Sequence, residues 1–413
     1  MSVVELAKRA RAASIVLGTV SSADKNTALL LTASKLISAQ AEILLANEND
    51  LRAAREKGLK ESFIERLTLN EMRIRHMAQG LIDVAQQTDP IGEILGQWSR
   101  PSGISITKRR VPLGVCAIIY ESRPNVTIDA AALCLKSGNA VILRGGSDAI
   151  YSNMALCRVL NDAIKTAGLP DGSVQLLEDT SREAAAELMT LNRYIDVLIP
   201  RGGKGLIASV VENATVPVIQ TGDGICHIYV DRNCDMEMAV KVSVSAKVSR
   251  PSVCNSAETL LVHEAVALEF LPQCIRALKS HGVTVRGCDS TRVICPDVEQ
   301  ATDEDWDTEY NDLIYSIKVV VSIDSAIEHI NLHGTRHSES IITGDEVNAR
   351  RFLDMVDAAA VYVNTSTRFT DGGEFGFGAE IGISNQKLHA RGPMGLTELT
   401  TYKYEIRSDG KIR

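Results

Sequence analysis

Several familiar signatures are missing from this sequence, and each absence closes a class. The longest apolar runs, such as "VCAIIY" and "TLLVH", stop far short of the roughly 20 residues a membrane-spanning helix needs. Nine cysteines are scattered with no C-x-x-C pair, so neither a disulfide framework nor a zinc finger is expected. An odd count without metal spacing suggests reduced thiols and a cytoplasmic protein. There is no basic excess. A net charge of −8 argues against general nucleic-acid binding, which shows a basic field. No h-region and cleavage site follow the opening "MSVVELAKRARAASIVL", which predicts an amphipathic helix rather than a signal peptide. Internal repeats and low-complexity segments are absent too.

What is present is the pattern of an α/β protein. At 413 residues, 45% hydrophobic and 23% charged, the chain is too long for one core, so two or three domains are expected. Residues 1 to about 90 predict helices, with polar breaks at "SSADKN" (21–26) and "NENDLRAAREKG" (47–58). From "ISITKRRVPLGVCAIIYE" onward, β-branched runs alternate with helical periods four times up to Asn213, which predicts a parallel sheet covered by helices. The rhythm restarts at "CHIYVD" and closes a second α/β unit at "AVYVN". The tail turns Gly-rich in "DGGEFGFGAEIGIS" and ends in the strand-like "TELTTYKYEIRS". The pattern therefore predicts two doubly wound α/β domains and a ribbon made from distant pieces.

Four stretches carry candidate chemistry. "HINLHGTRHSES" (329–340) spaces three histidines four residues apart, as a zinc-binding helix face would. Gly334 predicts a helix stop in the left-handed conformation, which puts His337 beyond the helix and disfavours a metal. In "RPSVCNSAETLLVH", Cys254 lies in a loop after Arg250, where a nearby cation raises the thiolate fraction. Locally, a nucleophile and one more buried small residue both remain open. The turns "LRGGSD" (143–148) and "PRGGKG" (200–205) follow strands and lead into helices whose N–H groups suit a phosphate. Neither matches a known nucleotide fingerprint, and an ordinary strand–helix turn is equally open. "IYESRPNVTIDAA" (119–131) places Asn125 just before a helix, as a cap or as a donor to an oxyanion.

Taken together these pieces resemble one family. "PLGVCAIIYESRPNVTIDAAALCLKSGNAVILRGGSDA" is similar to the cofactor-domain segment of the aldehyde dehydrogenase superfamily, in the form found in γ-glutamyl phosphate reductases. "AKVSRPSVCNSAETLLVH" resembles that family's nucleophile segment, and "VVSIDSAIEHINLHGTRHSESI" (320–341) its signature, with His329, His333 and His337 in place. "GFGAEIGIS-QKLHARGPMGL" extends the resemblance over essentially the whole chain, with Asn385 where the family leads one to expect Thr.

The resemblance implies an aldehyde-dehydrogenase-like fold. It divides the chain into an NADP(H)-binding domain (1–100 and 112–225), a catalytic domain (226–365) and an oligomerisation ribbon (101–111 and 385–413). It implies Cys254 as nucleophile and Asn125 as oxyanion donor. Arg144, Gly145, Gly146, Ser147, Gly202, Gly203 and Glu309 are implied cofactor contacts. Arg123, Arg250, His333 and His337 are candidates for the anionic groups of the substrate, and no metal is expected. The implied reaction is NADPH-dependent reduction of γ-glutamyl phosphate in proline biosynthesis, by a homo-oligomer that plausibly meets the glutamate 5-kinase supplying it. The segment "TGDGICHIYVD" has no Glu where oxidative relatives keep a base for thioester hydrolysis, which favours the reductive direction. An acyl-CoA reductase and a non-catalytic nucleotide-binding assembly protein are the competing expectations.

Overall fold

The computed structural model describes residues 1–413, the side chain of Ser62 excepted. The chain forms two compact units. One comprises Met1–Thr221, Gly376–Gly382 and Met394–Arg413, the other Gly222–Phe375 and Ile383–Pro393.

The first unit opens with helices α1 (Val3–Leu17), α2 (Ser22–Ser38), α3 (Gln40–Glu56), α4 (Glu61–Leu67) and α5 (Glu71–Gln86). Ser2, Ser21 and Asn70 start α1, α2 and α5 by accepting a backbone N–H with their side chains. The expected break over 47–58 is wrong: α3 runs through it to Glu56, and the chain bends instead by 71° at Ala39. The polar residues that suggested a break are buried ties. Asn47 donates to the Leu67 carbonyl at 2.9 Å and to Ser152 Oγ at 3.0 Å, and accepts from the Leu69 N–H at 2.8 Å. Asp50 accepts from the N–H and Oγ of Ser152 at 2.8 and 2.5 Å.

Strands β1 (Ile94–Ser99) and β2 (Ser105–Pro112) form a hairpin, followed by β3 (Val115–Tyr120), α6 (Asn125–Lys136) and β4 (Ala140–Arg144). Then come α7 (Ile150–Thr166), β5 (Val174–Leu176), α8 (Arg182–Met189), β6 (Val197–Arg201) and α9 (Lys204–Asn213). Their parallel sheet has the order β5-β4-β3-β6, and β3 is buried at every position. Chain order reverses between β3 and β6, so the crevice at their carboxyl ends is a switch point where doubly wound sheets bind ligands.

The second unit contains β7 (Cys226–Val230), α10 (Met236–Val248), β8 (Ala257–His263), α11 (Glu264–Ser280), β9 (Thr284–Gly287) and α12 (Asp289–Ile294). It continues through β10 (Glu299–Gln300), β11 (Ile314–Val320), α13 (Ile323–His333), β12 (Ser338–Ile342), α14 (Glu346–Met355) and β13 (Ala360–Val363). All seven strands are parallel, in the order β10-β9-β11-β8-β7-β12-β13. Apolar side chains from β7, β8, β11, α10 and α11, among them Ile228, Leu260, Ile317 and Phe270, make the main core. A short pair, β14 (Ile383–Ser384) with β15 (Gly392–Pro393), completes this unit.

The ribbon and the boundaries differ from expectation. The antiparallel ribbon is three-stranded, β1-β2-β16, with β16 at Thr400–Arg407, so it starts at Ile94 rather than 101. The turn at Gly103 (φ +83°) lets β1 fold onto β2, which pairs Trp98 with Ile106. Residues 385–393 leave the ribbon because the β14–β15 pair anchors them in the second unit. The division falls between Thr221 and Gly222 rather than at 225/226, and the second unit runs to Phe375 rather than 365.

Candidate active site

In the first unit the family-type residues gather at the carboxyl ends of β3, β4 and β6. The loop after β3 contains Ser122 at φ +29°, an unfavourable value for a residue with a Cβ, and delivers half-buried Arg123 and Asn125. Asn125 Nδ2 donates to Asp129 Oδ2 at 2.9 Å, one helical turn along α6. That bond uses one of the two amide hydrogens and fixes the direction of the other. Asp129 is a partner that sequence reasoning missed; its only signal was the i, i+4 spacing. Burial pushes its carboxyl up to about 6, against the pull of Asn125 and Arg201.

The two Gly turns are not alike. After β4, the half-buried Arg144 donates from Nη2 to the Thr180 carbonyl at 2.8 Å, while its buried Nε has no partner among the described residues. A Cβ on Gly145 would strike Asn153 Nδ2 at 2.1 Å, so this glycine permits strand–helix packing. A Cβ on Gly146 would meet nothing closer than 3.5 Å, and Ser147 is exposed. An orphan donor beside an open turn fits a phosphate-bearing cofactor. After β6, the position such a group would take is filled: Glu121 Oε2 accepts the Gly203 N–H at 2.9 Å, and a Cβ on Gly202 would meet the same carboxylate at 2.7 Å. In this structure Gly202 and Gly203 pack against the exposed Glu121 carboxylate.

In the second unit, half-buried Cys254 lies in the loop entering β8, at the amino end of the sheet. Its main chain is held from several sides. Gly224, in the segment entering β7, passes so close that an added Cβ would lie 1.4 Å from the Cys254 carbonyl oxygen. Only glycine permits that approach. The Cys226 thiol donates to the same carbonyl at 3.2 Å, and burial, then the Glu339 carboxylate, push that thiol's pKa far up and keep it a donor. Asn255 donates from its side chain to the Thr370 and Arg368 carbonyls at 2.8 and 3.3 Å, and Thr367 Oγ1 donates back to the Asn255 carbonyl at 2.7 Å. Glu309 accepts the Gly224 N–H at 2.9 Å. The segment 221–231 lacks a Glu of its own, yet a carboxylate from elsewhere docks on it.

The histidine stretch serves this loop as a support. Helix α13 ends at His333, but Gly334 has φ −69°, so it does not take the left-handed conformation that was expected. A Cβ there would strike the Ile330 carbonyl at 2.5 Å and Glu339 at 3.1 Å; close packing requires the glycine, and Arg336 (φ +62°) makes the left-handed turn. Thr335 Oγ1 accepts the Ile225 N–H at 2.9 Å, and its carbonyl accepts Asn385 Nδ2 at 2.8 Å. Thus the residue that departs from the family pattern helps to clamp the same loop. His333 pairs with Asp307 at 2.9 Å. His337 is fully buried, with Nδ1 2.7 Å from Ser338 Oγ. His329 packs against the His227, His333 and Trp306 rings, and burial, then the neighbouring His227, Lys318 and His333, lower it to about 2, so it stays neutral. Among the described residues, no three His, Cys, Asp or Glu side chains are grouped to hold a metal ion.

Comparison with known proteins settles the lineage. Residues 2–312 match the family model described as the aldehyde dehydrogenase family. A γ-glutamyl phosphate reductase of Clostridium perfringens is 59% identical over 406 residues, 98% of each chain. One from Caldanaerobacter subterraneus is 57% identical over 413 residues, the full length of both. The chain belongs to the aldehyde dehydrogenase family, in its γ-glutamyl phosphate reductase branch. The crystal structure of the γ-glutamyl phosphate reductase of Thermotoga maritima, 52% identical, superposes with a TM-score of 0.98 over 100% of both chains. An acetylating aldehyde dehydrogenase of Geobacillus thermoglucosidasius, at 16% identity and a TM-score of 0.68 over 100% and 96%, shares the fold alone. Cys254 is half-buried, as are Cys234 and Cys288, whereas Cys116, Cys134, Cys157, Cys226, Cys274 and Cys295 are buried. Sequence reasoning did not single out Arg368, on the turn tied to Asn255; its one signal was the Gly-rich segment that follows it.

Proposed function

We propose that this chain reduces L-γ-glutamyl 5-phosphate to L-glutamate 5-semialdehyde with NADPH, releasing phosphate, through a thioester on Cys254, as a step of proline biosynthesis. The observation that carries the reading is the near-full-length identity of 57–59% to proteins named γ-glutamyl phosphate reductase, with a supported cysteine loop at the matching segment.

In this reading the Cys254 thiolate attacks the acyl carbon, a C–S bond forms, and the acyl C–O bond breaks with its electron pair leaving on phosphate. Asn125 Nδ2, aimed by Asp129, is assigned as a donor to the oxygen that becomes negative, and the Cys254 N–H as the second donor. Arg144 with the Gly145, Gly146 and Ser147 turn would hold the phosphates of NADPH, and Glu309 its nicotinamide ribose; the Arg144 cation favours a 2′-phosphate. A bound reduced nicotinamide supplies the hydride. Cys254 then departs as the thiolate, the electron pair of the C–S bond leaving on sulfur as the semialdehyde is released.

A cytoplasmic homo-oligomer fits the remaining features. None of the nine cysteines is in a disulfide, and no single helix is long and apolar enough to cross a membrane. The ribbon leaves Ile94, Trp98, Tyr402, Tyr404 and Ile406 exposed, an apolar row suited to a second copy. Contact with the kinase that makes the labile acyl phosphate belongs to the same proposal.

The test is the reverse reaction. With glutamate semialdehyde and inorganic phosphate, NADP⁺ is expected to be reduced without coenzyme A, and NAD⁺ far more slowly. Turnover that requires coenzyme A would replace this reading with an acyl-CoA reductase, and no turnover with either acceptor would leave a non-catalytic protein.

A further inference from the structure

We propose that Arg368 and Arg250 form the subsite for the phosphoryl group of the substrate, on the loop that carries Cys254. The inference rests on the reading above and assigns one of its anionic groups to two named cations.

Arg368 is fixed at both ends to the Cys254 loop. Its carbonyl accepts from Asn255 Nδ2 at 3.3 Å, one residue after the cysteine, and its guanidinium Nε donates to Ser249 Oγ at 3.1 Å, next to Arg250. Main chain and side chain together therefore tie Arg368 to the loop at Asn255 and at Ser249. Burial and then the charge of Arg250 lower the Arg368 pKa, while Cys254 raises it, so the three groups interact. Arg286, Arg336, Arg351 and Arg391 in the same unit each have a carboxylate within 4 Å. Neither Arg250 nor Arg368 has one among the described residues, nor do Arg232, Arg276 and Arg292, but only the first two are tied to the cysteine loop; Asp371 is the carboxylate that Arg368 senses. Arg368 is half-buried and Arg250 exposed, and with no carboxylate within 4 Å the two guanidinium groups present positive charge that a multiply charged anion would neutralise.

The chemistry of the substrate says which anion. Its phosphoryl group is bonded through one oxygen to the carbon that Cys254 attacks, whereas the α-carboxylate lies at the far end of the carbon chain. Cations flanking the nucleophile match the former. As the acyl C–O bond breaks, negative charge moves onto the leaving phosphate, where guanidinium groups stabilise it. The buried His337 and the Asp307-paired His333 are not needed for this site.

The reverse assay on the intact protein tests the proposal with inorganic phosphate as probe, using Arg368→Gln, Arg250→Gln and Arg368→Lys. The KM for phosphate should rise about tenfold or more in both Gln variants and less in Arg368→Lys, while the KM for semialdehyde moves by less than about twofold. Independently of turnover, phosphate should slow the alkylation of Cys254 by iodoacetamide in wild type and fail to do so in Arg368→Gln, read by peptide mass. An unchanged KM for phosphate with retained protection overturns the subsite. So does a loss confined to kcat. Wild-type protein with no phosphate-dependent turnover would instead overturn the proposed function, which keeps the two failures apart.

Discussion

At the scale of single residues, Asn125 and Asp129 show how a half-buried acid aims an amide. The Asp129 carboxyl stands at about 6 against a usual 3.8, because burial penalises its charge more than Asn125 and Arg201 repay. A folded-state value above the unfolded one means that the native protein binds the proton more tightly. Ionised Asp129 therefore costs stability, on the order of 2 to 3 kcal/mol, which appears as pH rises through the window from about 4 to about 6. Protonation at the acid end of that window removes the charged acceptor that orients Asn125. The expected kcat profile thus falls below pH 6 in wild type, and Asp129→Asn, which keeps an amide oxygen but cannot titrate, loses that limb. A variant that kept the same acid limb would assign it to another group. Cys254 and Asn125 could be proposed from the sequence because the segments around them resemble those of the family. Asp129 and Arg368 could not, because their contacts with Asn125 and with the cysteine loop exist only in the fold.

At the scale of elements, the buried pair of Lys247 on α10 and Glu258 on β8 ties a helix to the strand that follows the cysteine loop. The pair is 2.5 Å apart, with side chains 0% and 1% exposed. Burial pushes Glu258 up to about 7, Lys247 pulls it down, and Glu309 nearby adds to the rise. Lys247→Met leaves that carboxyl without its cation and should cost about 3 to 5 kcal/mol, measured as a lower urea midpoint. Since the folded-state value is raised, the loss grows as pH increases through about 7. Lys247→Met with Glu258→Leu should recover most of it; a double variant as unstable as the single one would show that packing, not charge, is at stake. Element boundaries were legible where a cap or an alternation marks them, as at Ser21 and along β3 to β6. The break assigned to 47–58 failed because Asn47 and Asp50 are polar for the sake of buried partners. Gly334 stopped its helix as expected, but for want of room rather than for its left-handed freedom.

At the scale of the molecule, two rounds of strand–helix alternation were enough to expect two parallel sheets, and the sheet orders bear that out. The sequence could not say at which end of each sheet the chemistry lies. In the first unit the candidate residues lie at the carboxyl ends of the strands, where the switch-point rule looks for a ligand. In the second, Cys254 and the Gly224 that packs on it precede the amino ends of β8 and β7. The tail was the least legible part, since 376–382 and 394–413 belong to one unit and 383–393 to the other. Pairings as short as β14 with β15 leave no periodic trace in sequence.

The central claim is that Cys254 carries the acyl group, and a single-turnover experiment without phosphate addresses it directly. Mixed with glutamate semialdehyde and NADP⁺, the wild-type protein should produce one burst of NADPH per active chain. Mass spectrometry should then find the glutamyl group as a thioester on Cys254. Cys254→Ser should show neither burst nor adduct. An adduct on another residue, or phosphate-dependent turnover that survives in Cys254→Ser, would contradict the account.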